Sequence, residues 1–282
     1  MDQTVMTIRQ PRLFAKVYVD LFNKRIRVDD YRGNVEDLIT WIEQAGKDQG
    51  IEKLIVKLRW EHHAIALAKG FVLEAIVPGY YHGSDMFFFS KFLRSDRRSS
   101  DLWTKEDEIV ASVISDGTPP MKKEINGVIR RATKSDAYNL SSLYKEVFQI
   151  YPVPLHDSSY IEKSIDQGTI FYCIEINNTI ISAASAEVNQ TYKNAELTDC
   201  ATLPSYRKGG LMKELLFSLE QELKNKQIFC VYTIARSLSY GMNAAFSQLG
   251  YTYGGRLGNN CYIYDKLEDM NVWYKQLGGA KN

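Results

Sequence analysis

The sequence predicts an α/β protein made of two domains. Its 282 residues, 45% of them apolar, are enough to build two hydrophobic cores of ordinary size. Segments with the alternation typical of strands are interspersed with segments in which apolar residues recur at helical spacing. The segment Ser115–Glu124 concentrates turn-forming and charged residues between two such regions, as an exposed linker does. We therefore place the domains at residues 1–118 and 119–282.

Composition restricts the kinds of partner. Lys and Arg number 35 and Asp and Glu 34, a net charge of +1, so no overall field favours nucleic acid or an anionic membrane. No apolar run is long enough to span a bilayer and no leader pattern is visible, so we expect a cytoplasmic protein. The four cysteines are isolated, so neither a metal nor a disulfide is expected. A small-molecule partner is favoured, and a homodimer is left open.

The first domain is predicted to contain a hairpin at 17–21 and 25–28, a helix at 35–45 and a strand at 54–58. Residues 64–91 then follow the same order as residues 246–266. Both contain a helix end, a glycine with an aromatic residue, a strand, a turn with glycine, an aromatic strand and a lysine. Our hypothesis is that the first domain is a degenerate copy of the second; an unrelated α/β domain is the alternative.

The second domain is predicted from its caps and turns. Thr133 or Ser135 can cap a first helix, Asn177-Asn178 suits a hairpin turn, and Gly250 suits a left-handed helix end. In order, the predicted elements begin with a strand that starts at 127, a helix that ends at 148 and a helix at 159–167. Strands follow at 169–176, 179–188 and 195–203, then a helix at 211–223, a strand at 228–235 and a helix at 240–249. The last element is a hairpin with strands 251–257 and 261–266 and a turn at 258–260.

One turn of the second domain has the features of an anion site. The strand 195–203 leads into Pro204-Ser-Tyr-Arg-Lys-Gly-Gly210 and then into a helix, whose first N–H groups lack intrahelical partners. The glycines allow the backbone to approach a phosphate, and Arg207 and Lys208 add positive charge. The Arg-x-x-Gly spacing resembles the acetyl-CoA loop of the GNAT superfamily of N-acetyltransferases, although its sixth position, usually Gly or Ala, is Met212.

The resemblance implies a GNAT fold for the second domain, with a mixed central sheet flanked by helices. The first domain would be GNAT-like, and since it lacks the glycine turn we expect it not to bind the coenzyme. Backbone amides at the end of strand 195–203 would face the pantetheine arm and polarise the thioester. Asn243 could bond that arm, with a capping or exposed asparagine as the alternative. The residues expected to contact acetyl-CoA are Ala201, Thr202, Leu203, Arg207, Lys208, Gly209, Gly210, Leu211, Met212, Asn243 and Phe246.

Acetyl transfer needs a neutral amine and a proton for the leaving thiolate. Glu196 lies eleven residues before the arginine of the turn, where GNAT enzymes with a glutamate base carry it, so we predict it as the base, directly or through water. A solvated or salt-bridged glutamate is the alternative. Strand alternation places Asp199 on the opposite face, in a substrate-binding or structural role. Phe246 replaces the usual tyrosine acid, which leaves Tyr240, Tyr251 or water.

Several strings resemble the β-lysine N-acetyltransferases, among them Asn194-Ala-Glu-Leu-Thr-Asp199 and Thr233-Ile-Ala-Arg-Ser237. The resemblance implies acetyl transfer from acetyl-CoA to the ε-amino group of β-lysine. A diamino acid needs acidic groups for its ammonium groups and a cation for its carboxylate. Arg236 could be that cation, and a surface ion pair is the alternative role for it. The candidates for substrate binding are Tyr151, Asp157, Glu187, Asp199 and Arg236. A GNAT enzyme for a polyamine, an amino sugar or a protein lysine, and a non-catalytic acyl-CoA-binding module, are the other readings of the function.

Overall fold

The computed structural model describes residues 3–117, 127–149, 151, 153–207, 209–263 and 266–278. We call residues 3–117 the N-terminal half and residues 127–278 the C-terminal half. The predicted domain boundary at 118 falls on residues outside these ranges and stays a prediction. None of the described helices is both long and apolar enough to cross a bilayer.

The N-terminal half begins with an antiparallel meander and continues through a helix into a parallel strand. Its elements are β1 (Gln3–Gln10), β2 (Leu13–Asp20), β3 (Arg25–Gly33), α1 (Val35–Asp48), β4 (Lys53–Leu58), α2 (His63–Ala68), β5 (Val72–Tyr81), β6 (Ser84–Phe92) and α3 (Trp103–Ser115). Strand β4 runs parallel to β3, and the hairpin of β5 and β6 pairs with β4 through β6.

The C-terminal half repeats this sequence of elements with additions. Its elements are β7 (Val128–Arg131), α4 (Ala137–Val147), α5 (Ser158–Asp166), β8 (Ile170–Ile176), β9 (Thr179–Asn189), β10 (Asn194–Thr202), α6 (Leu211–Asn225), β11 (Cys230–Arg236), α7 (Tyr240–Gln248), β12 (Thr252–Ile263) and β13 (Lys266–Gln276). Strand β11 runs parallel to β10 and pairs with β13 on its other side.

All the described strands join in one sheet, in the order β1-β2-β3-β4-β6-β5-β12-β13-β11-β10-β9-β8-β7. Each half therefore has the same order from its meander to its hairpin, and the two hairpins meet at the centre. They meet at Gly255, which lies opposite Ala75. Gly255 has φ +131°, and a Cβ there would come within 2.3 Å of a β5 carbonyl oxygen, so this junction requires glycine.

Most predicted elements are confirmed, but the last hairpin is wrong. Strand β12 continues through residues 258–260 to Ile263, and its partner is β13. Residues 258–260 form a bulge rather than a turn because cations of the N-terminal half hold their carbonyls: Lys53 Nζ donates to Gly258 at 2.7 Å and Arg97 Nε to Asn259 at 3.0 Å. The counterpart of β6 is thus β13, so the parallel between 64–91 and 246–266 is out of register in its last strand. Strand β1 and helix α3 were not predicted.

A shared core joins the halves. Leu54 and Val56 of β4 pack in the cluster under α1, whereas Ile55 between them faces the other side of the sheet. There it belongs to a cluster that contains Tyr232 and Val272 of the C-terminal half. Because each such buried side chain contributes about 1.5–3 kcal/mol, the halves stabilise each other strongly. The sheet face without α1 is consequently the one on which residues of both halves meet.

Candidate active site

A cavity of about 1200 Å³ is lined by residues of both halves. It lies where strands β10 and β11 separate. The two strands pair only over residues 194–196 and 230–232, and beyond these rungs each continues without the other to Thr202 and Arg236. The edge of β10 that faces β11 therefore presents unpaired backbone groups to the cavity, which leaves room for a ligand between the strands.

The glycine turn lies at the cavity and has the shape of an anion cradle. Gly210 is the N-cap of α6 with φ +79°, and open space surrounds the position that its Cβ would occupy. Intrahelical bonds begin with the N–H of Lys213, so the amides of Leu211 and Met212 point out of the helix end. Gly209 and these residues line the cavity. A positive helix end with an open approach fits a pyrophosphate.

The strand end before the turn offers fewer amides than predicted. The N–H of Leu203 donates to a β9 carbonyl at 2.9 Å. By strand alternation the N–H of Ala201 points the same way, so both are used in the sheet, and Thr202 is the residue whose N–H faces the gap. Arg207 lines the cavity and ties the turn to this strand, since its Nε donates to the Thr202 carbonyl at 3.1 Å. The prediction for Lys208 lies outside the described residues.

Helix α7 turns two predicted coenzyme contacts into the core. Phe246 is fully buried and packs edge-on against Tyr251, with ring centroids 5.0 Å apart. Asn243 is fully buried too: its Nδ2 donates to three carbonyls of residues 236–239, and its Oδ1 accepts from Asn271 and Trp273 at 2.9 Å. Both predictions were wrong, because the face of α7 that lines the cavity carries Tyr240, Gly241, Met242, Ala244, Ala245 and Gln248.

The two candidate acids differ in position. Tyr251 is 5% exposed and belongs to the core beneath α6, where burial and the nearby Glu220 raise its pKa, so its prediction as the acid was wrong. Tyr240 does line the cavity mouth, but its hydroxyl donates to the Asp116 carboxylate at the end of α3. That bond raises the pKa of Tyr240 and uses its proton. Tyr240 or water therefore stays open as the acid.

A bulge in β10 overturns the prediction that its two carboxylates point in opposite directions. Residues 199 and 200 together stand opposite one residue of β9, and Asp199 has φ +52°. The bulge brings Asp199 to the side of Glu196 and Thr198. Its Oδ2 accepts from Ser185 Oγ at 2.6 Å, and Ser185 is the cross-strand partner of Thr198.

Glu187 completes an acidic cluster with Glu196 and Asp199. It lies directly opposite Glu196 in the ladder, and all three line the cavity. Burial raises the pKa of Asp199 to about 6, against bonds from Ser185 and Tyr151, and the charge of Glu196 adds to the rise. Burial and then its acidic neighbours raise the pKa of Glu187 to about 7. Since like charges opposite one another destabilise a sheet, a cationic ligand would offset the cost of this cluster.

Of two further substrate candidates, Tyr151 and Asp157, one lines the cavity and the other does not. Tyr151 lines the cavity, bonds Asp199 and stacks on Phe148 with centroids 4.4 Å apart. Asp157 is exposed and caps α5, where its carboxylate accepts from the Ser159 N–H at 2.9 Å. It does not line the cavity, so the structure does not bring it together with the other candidates.

Arg236 lines the cavity but its charge is already matched. Its Nε and Nη2 donate to Glu268 at 2.7 and 2.8 Å, and the Glu268 side chain is 2% exposed. This bidentate contact is the ion-pair alternative rather than an arginine that awaits a carboxylate.

Part of the site comes from the N-terminal half and was not predicted from the sequence. Tyr18, Arg25, Arg27 and Asp29 of β2 and β3 line the cavity. The alternation of charged and apolar residues in β3 was visible in the sequence, but it is typical of a strand with one face in solvent. Tyr232, whose hydroxyl donates to Glu196 Oε2 at 2.8 Å, was not predicted either.

The sequence of this chain is similar to known proteins over most of its length. The profile of the Acetyltransferase (GNAT) family matches residues 137–251. N-acetyltransferase YodP of Bacillus subtilis strain 168 is 41% identical over 273 residues, which cover 96% of this chain and 99% of that protein. The chain belongs to the GNAT acetyltransferase family. This GNAT protein is accordingly an acetyl-CoA-dependent N-acetyltransferase.

Two further comparisons concern relatives of this GNAT enzyme. The β-lysine N(6)-acetyltransferase of Methanosarcina mazei is 34% identical over 270 residues, which cover 88% of this chain and 100% of that protein. Among solved structures, the GNAT superfamily phosphinothricin acetyltransferase of Sinorhizobium meliloti in complex with AcCoA matches with a TM-score of 0.48 and 15% identity. That match covers 55% of this chain and 90% of the other.

Proposed function

We propose that this GNAT enzyme acetylates the ε-amino group of β-lysine to give Nε-acetyl-β-lysine. The observation that supports this most is the acidic cluster of Glu187, Glu196 and Asp199 beside the gap between β10 and β11. β-Lysine brings two ammonium groups and one carboxylate, so its charge suits a mainly acidic cavity. The likeness to the β-lysine N(6)-acetyltransferase of Methanosarcina mazei supports the same acceptor.

In this proposal Glu196 is the base. The Tyr232 hydroxyl donates to Oε2 at 2.8 Å and so fixes the carboxylate, and the other oxygen is left to take a proton from the ε-ammonium, directly or through water. The neutral nitrogen then attacks the thioester carbonyl. A C–N bond forms and the C–S bond breaks. The nitrogen gives its second proton to water, and the thiolate takes a proton from Tyr240 or water.

Acetyl-CoA would be held at the glycine turn. Arg207 and the amides of Leu211 and Met212 would bind its pyrophosphate, and the open space at Gly210 would admit it. The N–H of Thr202 would hydrogen-bond the arm that lies along β10. The coenzyme supplies an activated acetyl group, and the chain supplies orientation and a base.

Thiol release from acetyl-CoA tests the proposal. Purified protein is assayed with β-lysine, α-lysine, a polyamine, an amino sugar and a lysine peptide, and the acetylated nitrogen is located by NMR. We expect kcat/KM for β-lysine to exceed that for α-lysine by about 10-fold or more, with acetylation at the ε-nitrogen. Faster reaction with another amine would reject the acceptor. Coenzyme binding without thiol release for any amine would favour the acyl-CoA-binding module.

A further inference from the structure

Corresponding strands of the two halves present opposite charges to one cavity. Strand β3 of the N-terminal half corresponds in order to β10 of the C-terminal half. In the parallel ladders that follow from them, Arg27 pairs with Ile55 and Glu196 with Tyr232, and each pair is the third rung of its ladder. Both side chains line the cavity, and they lie close enough for the charge of Glu196 to act on Arg27.

Arg27 is held rigidly and is still accessible. Its Nε and Nη2 donate to Asp29 at 2.7 and 3.2 Å, and its guanidinium lies over the Tyr18 ring, 5.1 Å from the centroid. The side chain is 25% exposed. A planar cation that is fixed before the ligand arrives loses little conformational entropy on binding, and since Asp29 engages Nε and Nη2, a ligand carboxylate would meet the Nη1 edge.

The group around Arg27 has a surplus of positive charge. Asp29 accepts from Lys57 Nζ as well, at 3.0 Å, so two cations share one carboxylate. Burial opposes ionisation of Asp29, yet the charges of Arg27 and Lys57 hold its pKa well below the usual range, so it stays ionised. The three groups together carry one net positive charge, which the charge of Glu196 also reaches.

The other described arginines that line the cavity are matched or placed elsewhere. Arg25 Nε donates to the fully buried Asp20 at 3.1 Å. Arg236 is paired with Glu268 through two bonds, as Arg27 is with Asp29, but Asp29 is also shared with Lys57. Arg207 belongs to the coenzyme turn. Arg27 is therefore the arginine best placed to receive a negative group of the acceptor.

We propose that Arg27 binds the carboxylate of the acceptor, so that the N-terminal half distinguishes an amino acid from a simple amine. This inference rests on the proposed function, since the acceptor must react in this cavity. A diamino acid would direct its ammonium groups to the acidic cluster and its carboxylate to Arg27. A polyamine would make only the first of these contacts.

The test compares β-lysine with its carboxamide, which keeps both amines and loses only the negative charge. We expect wild type to prefer β-lysine by about 10²-fold in kcat/KM. Arg27→Gln should lower kcat/KM for β-lysine by about 10²-fold and leave that for the amide unchanged, so that the preference disappears. Arg27→Lys should keep part of it. The control Arg32→Gln, on the same strand but outside the cavity lining, should behave as wild type.

The outcomes separate this inference from the proposed function. Equal rates with β-lysine and its amide in wild type, or an equal loss on both substrates in Arg27→Gln, would overturn the role of Arg27. That first comparison needs no variant, so a poorly folded Arg27→Gln does not remove the test. If wild type acetylates a different amino acid, β-lysine is rejected as the acceptor. The same comparison, made with that amino acid and its carboxamide, then tests whether Arg27 binds the carboxylate. Activity on carboxylate-free amines alone would overturn both.

Discussion

The two halves share a strand order but differ at the start of the helix that leads to their parallel strand. Helix α1 begins after Asn34, whose side chain accepts from the Asp37 N–H at 3.0 Å. Helix α6 begins after Gly210, which has no side chain to do this. The N-terminal half thus satisfies its own helix end, while the C-terminal half leaves it open to an anion. This difference at the cap fits our proposal that the C-terminal half, and not the N-terminal half, binds the coenzyme.

The strand before each helix shows a second difference. Each has a bulge that contains an aspartate: Asp29 in β3 and Asp199 in β10. Asp29 bonds two cations, whereas Asp199 is bonded by hydroxyl groups and lies near Glu196. The shared order supports our proposal that the halves arose by duplication, and the charges show how they would have diverged.

The largest expected effect concerns the C-terminal half. Glu196→Gln should lower kcat by about 10²-fold or more, because the amine would lose its base, with little change in acetyl-CoA affinity. Steady-state kinetics and calorimetry measure the two quantities. Its cross-strand partner is the control: Glu187→Gln should raise KM for the amine and keep most of kcat. Unchanged turnover in Glu196→Gln would remove its assignment as the base.

The next effect compares the two helix starts. Gly210→Asp should raise the Kd for acetyl-CoA by about 10-fold or more, because a carboxylate would stand where the pyrophosphate is expected. Asn34→Ala, at the corresponding cap, should leave that Kd unchanged and lower the free energy of unfolding by about 1 kcal/mol. Calorimetry and urea unfolding measure them. Equal loss of coenzyme affinity in both variants would contradict the distinction between the halves.

The smallest effect is on stability and compares the two bulge aspartates. With a pKa of about 6, Asp199 keeps its proton in the folded protein between about pH 4 and 6, where the unfolded chain has lost it. The contribution of Asp199 to the free energy of unfolding therefore falls as pH rises from about 4 to 6. Asp199→Asn should be more stable than wild type by about 2 kcal/mol at pH 8, and the difference should shrink towards pH 4.

Asp29→Asn should have the opposite sign. The pKa of Asp29 lies well below its usual range, so its contribution is present above about pH 4 and is lost as pH falls. Since the side chain is 32% exposed, we expect a loss of only about 1 kcal/mol at pH 8. Urea unfolding at several pH values measures both variants. If both variants changed the free energy of unfolding at pH 8 in the same direction, the two aspartates would not differ in their electrostatic effect on stability.

Local signals in the sequence were enough for much of the fold. Asn177, Asn178 and Gly250 adopt the positive φ angles that their residue types predicted. Helix α6 and the strands around it were predicted from apolar spacing and are confirmed within a few residues. These features depend on backbone preferences and on neighbours along the chain, so a single sequence contains them.

The site was predicted only in part, because its members come from distant segments. Asn243 was correctly placed on α7 but its face was not, since that depends on the sheet beneath it. The bulge at Asp199 has no local sequence signature that we used, and it changed which side that carboxylate faces.

The sequence by itself determined most of the elements, the glycine turn that opens α6 and the family to which they belong. Tertiary structure alone decided which side chains meet. It placed Arg27 in the same cavity as Glu196, and it put Phe246 in the core. The physical reason is that local structure follows from steric and periodic preferences of neighbouring residues, whereas the cavity depends on how one continuous sheet brings both halves together.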